Sequence, residues 1–269
     1  MNPRTQIKLR RLRQQLQDMR SCAIAYSGGV DSTFLVTVAF QELGRRALAV
    51  TATSSTYPKK ELKEAERYAK KLGIPHVIIH SEELDIDGFA DNPPERCYSC
   101  KKELFQKIQQ IATKHRLAYV LDGSNADDKR DYRPGAKAKD ELGVRSPLQD
   151  VGLTKQEIRG LSKSMHLDTA DKPALACLAS RFPYGTRITR ERLKQVEAAE
   201  EFLVSLGARS CRVRYHDAIA RIEVPSKDFR MILQNAKEIV KRFKRLGFTY
   251  VTLDIEGYRT GSLNEVLPQ

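Results

Sequence analysis

A chain of 269 residues can bury one large or two modest cores, and at 41% hydrophobic and 30% charged it is globular rather than disordered. No apolar run approaches the ~18 residues that span a bilayer, so a membrane partner is not expected. The net charge of +13 sits mainly in the first twenty residues and beyond residue 186, which suits phosphate-bearing partners without choosing between a small nucleotide and RNA.

Residues 4–19 form a basic helix with Leu9, Leu12 and Leu16 on one side. There is no apolar h-region of a secretory signal between Met1 and Arg20, so a cytoplasmic location is expected. A buried strand at 22–26 runs through Ser27-Gly28-Gly29 into a helix that stops near Gly44. Strands at 47–51, 75–80 and 117–121 alternate with helices at 59–72 and about 98–115. This alternation predicts an α/β fold, a doubly wound parallel sheet with helices on both faces. Residues 131–153 read as loop, Thr154-Lys-Gln-Glu157 opens a capping-box helix to about Met165, and 171–185 is irregular. Beyond it come a helix at 189–206, hairpin strands at 210–215 and 218–224, a helix at 225–245 and a strand at 250–255. The expected organisation is a first domain at 1–185 and a smaller C-terminal α+β domain at 186–269.

In an open α/β sheet, ligands bind beyond the carboxyl ends of the strands. Ser27, Gly28, Gly29 and Ser32 lie at such an end, where backbone amides and hydroxyls at a helix N-terminus can take a phosphate. Asp31 cannot bind a phosphate directly, and its expected task is to hold Mg²⁺. No Lys follows the glycines, so this is not a G-x-x-x-x-G-K-[ST] loop. Thr51 and Ser54, and Gly123 and Asn125, follow two further strands and are candidates for adenine or ribose contact.

Five cysteines in a chain without a signal segment argue for free thiols or a metal site rather than a disulfide framework. Cys97 and Cys100 form a Cys-x-x-Cys at a helix start, where the dipole and neighbouring lysines favour thiolates. A redox pair and a zinc site are both open readings, although no second Cys pair exists for zinc. A third reading adds Cys177: three cysteines on a [4Fe–4S] cluster leave one iron open. Cys22 and Cys211 sit in strands and read as core. Arg212 and Arg214 alternate on one strand face opposite Arg221 and Glu223, which suits either phosphate recognition or a cross-strand ion pair.

Four stretches, Ser27-Gly-Gly-Val-Asp-Ser32, Asp91-Asn-Pro-Pro-Glu-Arg-Cys-Tyr-Ser-Cys-Lys101, Leu175-Ala-Cys-Leu-Ala-Ser-Arg181 and Gly257-Tyr-Arg-Thr-Gly-Ser-Leu-Asn264, together resemble the LarE family. The first alone resembles the pyrophosphate loop of the wider ATP-pyrophosphatase (PP-loop) superfamily, which implies an adenine nucleotide alpha hydrolase-like fold. The resemblance implies an ATP-dependent sulfur transferase of nickel-pincer cofactor synthesis, in service of lactate racemase-type enzymes. In that family ATP adenylates the carboxylates of pyridinium-3,5-biscarboxylic acid mononucleotide, and sulfur then displaces AMP. One branch spends a single cysteine, at the position matching Cys177; another holds a [4Fe–4S] cluster on three. With Cys97, Cys100 and Cys177, this chain resembles the second branch. The resemblance further implies Ser180, Arg181, Arg212 and Arg214 near the substrate phosphate, and Glu200 or Glu223 near sulfur transfer. ATP, Mg²⁺, the cluster, and sulfide or another sulfur donor are the implied cofactors and partners; a homo-oligomer is expected and nucleic acid is not. The alternatives are a PP-loop tRNA-thiolating enzyme and an amidating synthetase of the NAD or GMP type.

Overall fold

Four strands alternate small and branched apolar residues on both faces, the pattern of a parallel sheet covered on each side. In the computed structural model, which describes residues 2–130, 135–173, 176–208, 210–259 and 261–266, they are β1 (Cys22–Ala25), β2 (Ala47–Thr53), β3 (His76–His80) and β4 (Tyr119–Leu121). All pair in parallel, in the order β3-β2-β1-β4. Because successive side chains point to opposite faces, Cys22, Ile24, Ala47, Ala49 and Leu121 enter one core while Ala23, Leu48, Val50 and Val120 enter another. The first core is covered by α1 (Pro3–Met19), α2 (Val30–Leu43), α3 (Lys59–Lys71) and α7 (Lys155–Ser164), the second by α4 (Arg96–Lys114). Leu12 and Leu16 of α1 are fully buried. Phe105 of α4 is too, a burial worth roughly 1.5–3 kcal/mol. This is the doubly wound α/β architecture that the sequence predicts.

The segment after β4 departs from the loop reading. Residues 131–134 lie outside the described residues, and beyond them come α5 (Gly135–Glu141) and α6 (Pro147–Asp150). Pro147 occupies the first turn of α6, where its missing N–H costs nothing, and Leu148 is fully buried. Between the two helices Arg145 bridges in parallel to Leu121, extending the sheet by one residue.

The chain divides into two compact units, Met1–Glu83 with Glu95–Leu175 and Leu84–Pro94 with Ala176–Gln269. Residues 176–185, which the sequence groups with the first domain, are described with the second unit; Ala174 and Leu175, part of the irregular stretch, lie outside the described residues. In the second unit α8 (Arg190–Ser205) precedes β5 (Arg212–His216) and β6 (Ile219–Glu223), an antiparallel hairpin turning at Asp217 with φ 51°. The helix expected over 225–245 breaks in two, α9 (Phe229–Gln234) and α10 (Ala236–Arg245). The break is at Asn235, whose side-chain amide donates to the Met231 carbonyl at 2.8 Å and competes with the helical backbone. These helices cross over to β7 (Tyr250–Leu253), which pairs in parallel with β6. Asn92, left-handed at φ 59°, donates its side-chain amide to the Phe182 and Pro183 carbonyls, which places Leu84–Pro94 in this unit.

Candidate active site

The central strand of a parallel sheet delivers its loop to the middle of the carboxyl edge. After Tyr26, whose N–H reaches the Val50 carbonyl at 2.8 Å, the chain turns through Ser27-Gly28-Gly29 into α2. Gly28 has φ +65°, and a β-carbon there would stand 3.0 Å from that of Ala65 on α3. Gly29 caps α2 without any side-chain bond, so the first amides of a fourteen-residue helix remain open to an anion. Ser32 Oγ accepts from the Ser27 N–H at 3.3 Å and lies 3.1 Å from Ser27 Oγ. Gly123, after β4, presses its backbone on the Ser32 backbone, so Ser27, Gly28, Gly29, Ser32 and Gly123 stand together.

Asp31 is in the first turn of α2. Its Oδ2 pairs with Lys155 Nζ, while Oδ1 is buried with no hydrogen-bond partner among the described residues. Burial raises its pKa, and the Lys155 charge opposes that. An orphaned carboxylate oxygen beside an open helix N-terminus fits Mg²⁺, which takes one or two protein carboxylates and completes its shell with phosphates and water. Among the described residues no group of three or more His, Cys, Asp or Glu forms a metal site. Lys155 is itself fixed by Asp127, which accepts its backbone N–H at 2.8 Å, and Asp128 accepts from the Asn125 N–H at 2.9 Å.

The remaining nucleotide candidates are engaged with their own surroundings. The Thr51 hydroxyl is buried and donates to the Tyr26 carbonyl at 2.6 Å. With its one proton spent, it accepts from His76 Nε2 at 2.8 Å, which fixes the tautomer of a ring whose pKa burial lowers. Asn125 is buried and accepts from the Asp127 N–H. Ser54 bonds Thr56.

Arg96 begins α4, two residues before the sequence reading, so Cys97 and Cys100 both lie at its N-terminal end, three residues apart on the same side. Neither cysteine is in a disulfide; Cys97 is exposed and Cys100 half-buried. Cys100 Sγ lies 3.9 Å from Glu83 Oε1, and Glu83 also accepts from Thr56 at 3.1 Å. Burial raises the Glu83 pKa, partly offset by its hydrogen bonds.

In the second unit Cys177 is exposed and caps the turn Leu178–Arg181, its sulfur accepting the Ala179 N–H at 3.3 Å. Ser180 and Arg181 both donate to the Cys177 carbonyl, at 2.8 and 3.0 Å. Arg181, 3% exposed, forks onto both oxygens of Glu200 at 2.9 and 2.8 Å. Burial works against its charge, and Glu200 more than offsets this, so its pKa is raised. Arg214 donates to the Ser180 carbonyl, to Glu223 and to Ser262, with its Nε buried and unpartnered among the described residues. Glu223, fully buried, also receives Arg221. Arg212 stacks over Tyr258 and donates to the Cys211 carbonyl, its pKa lowered by burial and by Arg181. Thus Cys177, Ser180, Arg181, Glu200, Arg214 and Glu223 form one network, and of the two readings of the strand arginines the cross-strand ion pair is present at Arg214, which meets Glu223. Cys22 and Cys211 are buried, burial pushing each thiol up to about 12.

Sequence reasoning passed over Lys155, Lys172, Tyr57 and Glu83. Lys155 could have been flagged, since it follows the N-cap of a capping-box helix at a sheet edge; Lys172, Tyr57 and Glu83 carry no motif.

The asparagine synthase family model matches residues 10–120. An uncharacterized protein of Synechocystis sp. is 45% identical over 262 residues, 97% of this chain and 98% of its own length. The pyridinium-3,5-bisthiocarboxylic acid mononucleotide synthase of Lactiplantibacillus plantarum is 38% identical over 253 residues, 94% and 92% of the two chains. An uncharacterized protein of Methanocaldococcus jannaschii is 33% identical over 256 residues, 94% and 98%. With the PP-loop at the carboxyl edge of a doubly wound sheet and relatives matched almost end to end, the chain belongs to the LarE family of PP-loop, ATP-dependent sulfur transferases.

Proposed function

We propose that this enzyme uses ATP to adenylate the carboxylates of pyridinium-3,5-biscarboxylic acid mononucleotide and replaces AMP with sulfur, giving the thiocarboxylates of the nickel-pincer cofactor. The observation that carries the reading is the near-full-length match to an enzyme named for the bisthiocarboxylic acid mononucleotide. A carboxylate is a poor electrophile, and transfer of AMP to its oxygen makes that oxygen a leaving group. Ser27, Gly28, Gly29 and Ser32 donate to the departing pyrophosphate, and Asp31 would hold Mg²⁺, which would supply charge neutralisation for the phosphates. Gly123, Asn125, Thr51 and Ser54 border the nucleotide. Ser180, Arg181, Arg212 and Arg214 hold the substrate phosphate, which converts a bimolecular attack into a positioned one.

For the sulfur, Cys97 and Cys100 suit two ligands of a [4Fe–4S] cluster, lying three residues apart at the start of one helix and outside any disulfide, and exposed Cys177 suits a third. When bound, the cluster would supply sulfide for the displacement of AMP. The chain is purified anaerobically and incubated with ATP, Mg²⁺, sulfide and the biscarboxylate nucleotide, and small molecules and protein are weighed by mass spectrometry. AMP, pyrophosphate and thiocarboxylate should appear, with about four irons per chain and the protein mass unchanged. Absence of thiocarboxylate overturns the substrate; a colourless chain that loses hydrogen sulfide from Cys177 overturns the cluster in favour of a sacrificial cysteine.

A further inference from the structure

A loop that binds an anion through its amides must first decide which way its peptide planes face. In a trans peptide the carbonyl of one residue and the N–H of the next point in opposite directions, and the described chain contains no cis bond. Whatever holds the carbonyls of Ser27 and Gly28 therefore aims the amides of Gly28 and Gly29. Glycine supplies no bias of its own, because Gly28 and Gly29 can populate either sign of φ.

Both carbonyls are held by side chains from distant segments of the first unit. Tyr57 donates its hydroxyl to the Ser27 carbonyl at 2.7 Å. Lys172 donates to the Gly28 carbonyl at 3.2 Å. The lysine is 9% exposed and is itself clamped between Glu61 and Glu64 of α3, at 2.6 and 2.7 Å. With two carboxylates on one ammonium, Lys172 brings no net positive charge, so it does not act as a bare electrostatic attractor. Burial opposes its charge, and the two glutamates outweigh that and keep it protonated. Tyr57 is likewise kept a hydroxyl donor by burial and by Glu61. Opposite them, the Gly29 N–H makes only a long 3.4 Å contact to Ser27 Oγ, weak enough to give way to a phosphate oxygen.

We propose that Tyr57 and Lys172 are positioning residues for the phosphate loop, pinning the outward carbonyls of Ser27 and Gly28 so that the Gly28 and Gly29 amides face the pyrophosphate of ATP. Donation to a carbonyl also polarises the peptide and strengthens the N–H on its other side. The inference rests on the reading that residues 27–32 take the pyrophosphate.

Binding of Mg²⁺-pyrophosphate, MgATP and AMP to the full chain is measured by calorimetry for wild type, Tyr57→Phe, Lys172→Met and Lys172→Arg, together with each melting midpoint. Tyr57→Phe and Lys172→Met should each weaken pyrophosphate and ATP about fivefold, the size of one lost hydrogen bond, and leave AMP within about twofold. Lys172→Arg, which keeps a cationic donor between the glutamates, should restore most of the loss. Tyr57→Phe removes one oxygen and should keep the wild-type midpoint. If wild type binds neither pyrophosphate nor ATP, the underlying reading of the loop fails. If wild type binds both and Tyr57→Phe binds them equally well, or if AMP falls in parallel with pyrophosphate, the positioning role is overturned.

Discussion

Gly123 and Ser32 meet backbone to backbone: a β-carbon on Gly123 would lie 3.1 Å from the Ser32 amide nitrogen and 3.2 Å from its Cα. Neither partner is the free end of a side chain, so neither can swing aside. Gly123→Ala must therefore push the start of α2 away from β4, a small-to-large change that costs about 1–3 kcal/mol. We expect ATP binding to fall about tenfold or more, read by equilibrium titration, because the displaced residues are those proposed to take the phosphate.

Lys155 and Asp31 set a pH dependence. Burial raises the Asp31 pKa and Lys155 restrains it. A carboxyl whose folded pKa is raised gives stability that is complete below its unfolded value and lost as pH rises through the folded one. Lys155→Met raises that pKa further. Denaturant unfolding should show the variant near wild type at about pH 4 and weakest near about pH 7. The side chain of Lys155 is 33% exposed, so the loss at neutral pH should be only about 1–2 kcal/mol.

The capping box of α7 should behave with the opposite sign. Burial acts to raise the Glu157 pKa, but Lys8, the Thr154 N–H and Thr5 outweigh it and the pKa is lowered. Its contribution is present above the ordinary carboxylate range and fades as pH falls through the folded pKa. Thr154→Ala should cost about 1 kcal/mol at neutral pH, and Glu157→Gln should flatten the acid limb of the stability profile, both read by urea unfolding.

Arg181 holds Glu200 with two nitrogens and the Ala176 and Cys177 carbonyls with a third. Arg181→Ala leaves Glu200 unpaired beside the Val213 N–H, and should cost about 3 kcal/mol in unfolding experiments. Arg181→Lys should not rescue it, since an ammonium cannot reproduce the fork. Thiocarboxylate formation should fall in both variants, because the turn that carries Cys177 loses its anchor.

Much of the first unit was legible because its signals are local. The alternation of Cys22–Ala25 and Ala47–Val50 between two faces, Gly44 as a stop, and the Ser27–Ser32 string each depend on a few consecutive residues, so strand order aside, the sheet and its phosphate loop could be read directly. The hairpin was legible for the same reason, as was the pairing of strand arginines with Glu223. The break at Asn235 and the helices after β4 were not, since each depends on a side-chain bond or a burial partner that propensity does not encode.

The sequence by itself determined which chemistry is present: an amide-rich loop before a helix, one carboxylate in its first turn, three thiols outside the strands and a basic hairpin. Tertiary structure decided what each group is bonded to. Lys155 reaches Asp31 across 124 positions and Lys172 reaches Gly28 across 144, distances over which no periodicity or capping rule acts. The same holds for the phosphate loop, whose glycines permit many peptide orientations. One of them is selected by Tyr57 and Lys172, and the physical reason is that a carbonyl held from behind turns its neighbouring amide forward.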